Sequence, residues 1–145
     1  MIKILCIGKI KEDYLDKLID DYKKRIGKYI KIEIVELKDF VDYEKEINNL
    51  AKNIKKSDYN IGLDLSGKMI TSVEFAEKID NVLPRNSNIT FIIGGSLGLN
   101  DEVRSLCDEL ISFSKMTFPH GLFRGILLEQ IYRACKINNH EMYHK

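Results

Sequence analysis

The sequence predicts an α/β fold built around a mainly parallel sheet. Segments with strand character and segments with helix character alternate five times along the 145 residues, the order expected of strands joined by crossover helices. The runs Ile2–Ile7 and Ile89–Ile93 are apolar almost without interruption, as strands covered on both faces must be. No repeat, low-complexity tract or interdomain linker breaks the alternation, so residues 1–145 read as one domain, long enough to bury roughly two thirds of the surface its unfolded chain exposes.

The elements follow in order. Gly8 ends the first strand. Tyr14, Leu15, Leu18, Ile19, Tyr22 and Ile26 recur at helical spacing with Asp and Lys between them, an amphipathic helix that stops near Gly27. Ile30–Leu37 alternates apolar and polar residues, a strand with one wet face. Ile47, Leu50, Ala51 and Ile54 give a second helix over Tyr43–Lys56, and Ile61–Leu65 a short buried strand ending in a turn at Ser66-Gly67-Lys68. Thr71 and Glu74 have capping-box spacing for a helix over Ser72–Val82, which Pro84 ends. After the strand Ile89–Ile93, Asn100 caps a helix reaching about Asp108, Leu110–Phe113 forms the last strand, and a long helix covers His120–Asn138. Ligands of such sheets bind at the carboxyl ends of strands, which directs attention to the loops after Leu63, Ile93 and Phe113.

Composition narrows the class. Apolar residues make up 44% and charged residues 31%, the balance of a globular protein. The longest apolar runs, at Phe91–Ile93 and Gly125–Leu128, fall far short of the roughly 20 residues of a membrane span. The opening MIKILCIGKI lacks a secretory signal's apolar region and cleavage site, so a cytoplasmic location is expected. Cys6, Cys107 and Cys135 are odd in number and without CxxC spacing, so they read as small buried apolar residues and not as disulfides or metal ligands. Net charge is only +1, but cations cluster. Lys23, Lys24, Arg25, Lys28 and Lys31 read as a solvated lysine-rich surface. That description fits Lys115, His120, Arg124, Arg133, Lys136, His140, His144 and Lys145 less well.

Three motifs bear on chemistry. FIIGGSLGLND joins a buried strand to a helix through Gly94, Gly95 and Gly98, which lets backbone approach a ligand closely or merely makes a tight turn. It is neither GxxxxGK[ST] nor GxGxxG. His140-Glu141-Met142-Tyr143-His144 matches the zinc-peptidase pattern HExxH, but no third ligand is expected downstream and Asn138-Asn139 reads as a helix end, so no metal is expected. No GxSxG elbow occurs. The series SFSKMTFPHGLFR, EQIYRA and YHK combines aromatic, basic and proton-exchanging side chains suited to an unstacked RNA base. Phe113, Met116 and Phe118 also fit a plain core, and Glu129 with Arg133 a simple i,i+4 pair. The last helix is apolar on more than one face through Leu122, Ile126, Leu127, Leu128, Ile131 and Ala134, and a homodimer packed on it is expected.

FIIGGSLGL, SFSKMTFPH, LLEQIYRA and the terminal YHK, with IGK near the start and LDLSGK in the middle, together resemble the ribosomal RNA large-subunit methyltransferase H family, the pseudouridine N3-methyltransferases of the SPOUT superfamily. The resemblance spans the chain. It implies an α/β knot with a mainly parallel sheet and a C-terminal deep trefoil knot, an exception to the unknotted rule. It also implies a homodimer that transfers methyl from S-adenosyl-L-methionine to N3 of a pseudouridine in 23S rRNA of the assembled ribosome, without a metal. By motif, the cofactor pocket would comprise Leu63, Gly94, Gly95, Phe113, Ser114, Lys115, Met116, Thr117 and Phe118. For catalysis the tail is expected to supply Tyr143 and His144, with Arg133 ordering it, since histidine exchanges protons near neutral pH; His120, Arg124 and Lys145 would meet RNA. Gly121 and Met142 depart from the family pattern, where a side chain such as Gln and a proline are common, and are expected to loosen the backbone. A noncatalytic RNA-binding relative is the alternative.

Overall fold

The computed structural model describes residues 1–144; Lys145, expected to contact RNA, lies outside them. The order is β1 (Ile2–Ile7), α1 (Asp13–Ile26), β2 (Ile32–Leu37), α2 (Tyr43–Lys52), β3 (Tyr59–Met69), α3 (Ser72–Val82), a 3-10 turn (Leu83–Arg85), β4 (Ile89–Ile93), α4 (Asp101–Leu106), β5 (Glu109–Ser112) and α5 (His120–Asn138). The strands form one sheet in the order β2-β1-β4-β3-β5, with every pairing parallel. Side chains of β1 divide by parity, since successive residues of a strand point to opposite faces. Ile2, Ile4 and Cys6 join α1, α3 and α5 in the larger core, while Leu5 and Ile7 pack against Ile47 and Leu50 of α2 and Val103 of α4.

Several boundaries differ from expectation. Ile30 packs against the larger core without entering the ladder, so β2 begins at Ile32. The helix α2 ends at Lys52, where Asn53 caps it and donates from Nδ2 to the Asn49 carbonyl at 2.8 Å. The strand β3 continues past Leu65 through a bulge: its pairing with β5 breaks after Leu63 and resumes at Lys68. Gly67 lies in that bulge because a Cβ there would sit 2.6 Å from the Ile111 backbone. α4 stops at Leu106, where Cys107 turns extended. The Thr71–Glu74 capping box is formed. Cys6 and Cys135 are buried but Cys107 is only half-buried, against expectation; all three thiols are pushed up to about 11, chiefly by burial.

The face of α5 expected to seat a partner is largely covered within the protomer. Leu127, Leu128, Ile131 and Ala134 are buried between α1 and α3, and only Leu122 is exposed, at 39%. Gly121 also corrects its expectation. A Cβ there would lie 3.0 Å from Leu15 Cδ1, and one at Gly125 2.8 Å from Leu18 Cδ2. The two glycines form a notch that admits α1, so Gly121 serves close packing and not looseness.

Arg124 likewise points inward. It is 2% exposed; Nη2 donates to the carbonyls of Ile7 at 2.7 Å and Gly8 at 2.8 Å, and Nη1 to Glu36 Oε2 at 2.8 Å. The expected RNA contact is thereby replaced by a clamp fastening α5 to the ends of β1 and β2. A second buried cluster holds the amino edge of the sheet, where the Asp58 carboxylate accepts from Thr90 at 3.0 Å, Asn88 at 3.0 Å and Lys3 at 3.3 Å. Burial opposes its ionisation, but these donors outweigh it and hold the Asp58 carboxyl below the usual range.

Two outcomes follow for stability. Arg124→Ala strands the Ile7 and Gly8 carbonyls and should lower unfolding free energy by about 3 kcal/mol in urea titration. Asp58→Asn should cost about 2 kcal/mol at neutral pH. Because the folded Asp58 pKa is lowered, its contribution is present above the unfolded value of about 3.9 and fades as pH falls through the folded one. The gap between wild type and Asp58→Asn should therefore begin to narrow in urea titrations as pH falls below about 4 and close at lower pH.

Candidate active site

The carboxyl ends of β1, β3, β4 and β5 open into one cleft of about 1520 Å³. Because β4 lies between β1 and β3, the loop after β4 meets those after its neighbours. Gly94 and Gly95 leave β4 and enter a tight turn in which the Gly98 amide donates to the Gly95 carbonyl at 3.0 Å. A side chain does not fit at Gly94, where a Cβ would lie 2.7 Å from the Gly98 carbonyl carbon, and one at Gly95 would displace the Glu46 carboxylate, 2.8 Å away. Gly98 has φ +74° and open space beside it.

The opposite wall is aromatic. Phe113 meets Phe123 edge-on at 5.3 Å, and Phe123 lies parallel to Phe118 at 6.1 Å. Phe118 is 38% exposed, which leaves ring surface open to a flat partner. Between them the loop after β5 is ordered by its own hydrogen bonds: Ser112 donates to the Ser114 carbonyl, and the Ser114 hydroxyl accepts from the Met116 amide, both at 2.9 Å. The lining carries charges of both signs, with Glu12, Asp39 and Asp64 beside Lys9, Lys11 and Arg104. Burial opposes ionisation of Asp64, but hydrogen bonds from Ser66 and from Arg104 Nε at 3.2 Å hold its carboxyl below the usual range.

Of the residues expected to bind a cofactor, Leu63, Gly94, Gly95, Phe113, Ser114, Met116, Thr117 and Phe118 line this cleft. Lys115 is exposed and is not part of its wall. His120 and Arg124 border it from the first turns of α5. Sequence reasoning missed Lys9, Ile10, Lys11 and Glu12 after β1, Asp39 after β2, and Arg104. The signal available for the first loop was Gly8, whose φ of +83° places it against the Asp39 carboxylate.

The residues expected to be catalytic gather elsewhere. Arg133 Nε donates to Glu129 at 2.9 Å, its guanidinium lies 4.9 Å from the Tyr143 ring centroid, and Nη1 is 3.1 Å from His144 Nδ1. The Tyr143 hydroxyl donates to Glu129 at 2.8 Å, and burial together with that carboxylate pushes its pKa up to about 12. Tyr29, just before β2, donates to Glu141 at 3.0 Å, and Lys136 bridges to the same carboxylate at 2.8 Å. The tail thus lies toward the amino edge of the sheet and the cleft at the carboxyl edge: Tyr143 and His144 fold back on Glu129 and Arg133, which lie about 14–20 Å along α5 from His120 at 1.5 Å per residue. One protomer does not bring them together. Residues 140–144 lie beyond α5, with His140 at φ 56°, so the HExxH match does not sit on the helical face that motif needs. Among the described residues no group of three His, Cys, Asp or Glu side chains is placed to hold a metal ion.

The sequence pattern of the family described as "Predicted SPOUT methyltransferase" matches residues 1–144. A "Ribosomal RNA large subunit methyltransferase H" from Clostridium botulinum (strain Alaska E43 / Type E3) is 50% identical, the match covering 99% of each chain. A protein of the same name from Clostridium novyi (strain NT) is 49% identical at the same coverage. Among solved structures, a probable methylase family protein from Haemophilus influenzae Rd KW20 superposes with TM-score 0.60 at 16% identity, over 99% of this chain and 70% of that one. The SpoU methyltransferase AviRb from Streptomyces viridochromogenes superposes with TM-score 0.51 at 12% identity, over 98% and 62%. These two likenesses concern the fold. With the family pattern matched over residues 1–144 and near half-identity sustained over almost the whole chain, the protein belongs to the SPOUT methyltransferases, in the family of the ribosomal RNA large subunit methyltransferase H proteins.

Proposed function

We propose that this protein is a cytoplasmic methyltransferase that moves a methyl group from S-adenosylmethionine to N3 of a pseudouridine in 23S rRNA, acting on the assembled ribosome as a homodimer. The observation that carries the reading is the cleft at the carboxyl edge, where glycine backbone and aromatic rings meet. Its composition fits the donor: Gly94 and Gly95 give close backbone approach, and Phe118 offers a ring face to a flat base. The curated relatives are named for methylation of large-subunit rRNA.

When bound, S-adenosylmethionine supplies a methyl group on a cationic sulfur, electrophilic enough to need no metal. The protein's own residues orient the base and handle the N3 proton. Tyr143, neutral and held by Glu129, is a hydrogen-bond donor; His144 beside Arg133 is the proton acceptor. Because the tail and the cleft of one protomer face opposite ways, each site combines the cleft of one copy with the tail of the other. A two-fold dimer with α5 helices antiparallel brings these ends together. A patch for it borders the cleft: Tyr14 is 71% exposed and Leu18 37%, beside Leu122. Clustered exposed apolar side chains of this kind mark interfaces.

Two measurements test this. Calorimetry should show S-adenosylmethionine binding that Gly94→Val weakens at least about tenfold, since the new side chain displaces the Gly98 backbone; absence of binding to wild type would favour a noncatalytic RNA-binding relative. For the shared site, Gly94→Val and His144→Ala proteins, each inactive alone, should regain about one quarter of wild-type methyl transfer to ribosomes after subunit exchange. Half the dimers are then mixed and each holds one intact site. No recovery in exchanged dimers overturns sharing between subunits, and wild-type rate in His144→Ala overturns its catalytic role.

A further inference from the structure

We propose that the basin at the amino edge of the sheet, walled by Lys23, Lys24, Lys28 and Lys31, is a docking surface for RNA phosphates that steadies the substrate strand beside the tail. The inference rests on the rRNA reading above and extends it to a surface outside both cleft and tail.

The basin is an open depression of about 540 Å³, with Gly27, Tyr29 and Ile30 among its lining. Lys24, Lys28 and Lys31 are exposed and Lys23 half-buried. Among the described residues none of the four is in an ion pair, whereas their neighbour Arg25 is held by Asp21 at 3.0 Å. Lys23 and Lys24 in the last turn of α1 have a local reason to be there, since cations complement the carbonyl end of a helix. Lys28 and Lys31 lie beyond the helix and have none. Four like charges within nine residues repel one another, a cost that an anionic partner would offset.

Position identifies the partner. The basin includes Tyr29, which is hydrogen-bonded to Glu141 of the tail, and Lys136 lies 5.6 Å from the Tyr29 ring centroid. Basin and tail therefore form one continuous surface, and any dimer that carries the tail to a partner's cleft carries the lysines with it. The cleft rim, by contrast, carries charges of both signs, with Glu12, Asp39 and Asp64 beside Lys9, Lys11 and Arg104. A polyanion whose one base enters the active site needs a cationic surface next to the site and not in it, and RNA meets that description. A total charge of +1 is no obstacle when the positive groups are gathered.

The test is the triple variant Lys24→Glu, Lys28→Glu, Lys31→Glu, which alters only exposed side chains. Binding to purified large ribosomal subunits should weaken at least about tenfold at low salt. The slope of log affinity against log salt should fall by about 2 or more, since each phosphate contact contributes about 0.9. Affinity for poly(U) should drop in parallel, while S-adenosylmethionine affinity stays unchanged and the unfolding midpoint falls only slightly, from the loss of Lys24 at the carbonyl end of α1. Equal affinity for subunits, or parallel salt slopes, overturns the proposal; so does a loss seen on subunits but not on poly(U), which would mark a protein partner. If binding falls as expected while even wild type transfers no methyl, the docking surface stands and the methyltransferase reading fails.

Discussion

The position of β4 between β1 and β3 governs the molecule. Ile89, Phe91 and Ile93 enter one core and Ile92 the other, so β4 is tied to a neighbour on each edge and sealed on each face. A strand so enclosed cannot shift register without moving apolar side chains out of two cores. The loop that leaves it is consequently fixed between the loops of β1 and β3, and the glycine turn, the bulge of β3 and the segment after β5 converge on one cleft. Arg124 completes the frame by binding the start of α5 to the ends of β1 and β2, which sets the aromatic wall against the glycine wall.

Much of this was legible in the sequence, for identifiable reasons. Uninterrupted apolar runs revealed β1 and β4 because both are covered on two faces, and the Thr71-Glu74 spacing marked the start of α3 because capping is a local interaction. Strand order was not legible, since nothing local records which strands become neighbours. That is why the loop after β1 escaped notice as part of the cleft while the loops after β3, β4 and β5 did not. Gly121 and Arg124 were misread for a related reason. Their roles depend on Leu15 and on the Ile7 carbonyl, more than a hundred residues away in the chain, and by residue type alone a glycine suggests looseness and an arginine suggests surface.

The two groups of residues expected to cooperate are both well formed, each on its own scaffold, at opposite edges of the sheet. The tail is held by Glu129, Tyr29 and the Tyr132 ring, and the cleft by backbone contacts too close for side chains. Neither needs the other in order to be built, but chemistry that uses both requires a second copy. Oligomerisation under the proposed mechanism is thus a geometric requirement of the site and not an addition to stability. The small apolar patch at Tyr14, Leu18 and Leu122 is consistent with that, since most of α5 is already occupied within its own protomer.

The gathering of Lys23, Lys24, Lys28 and Lys31 in one basin also gives an almost neutral molecule a local concentration of positive charge. A body of this kind is turned by an external field more than it is pulled by it. Near a densely charged polyanion its lysine-rich edge rotates to the front over distances set by the screening length, about 8 Å at physiological salt. Orientation is then partly decided before contact, and the molecule reaches a large anionic particle already facing it with the edge that carries the tail.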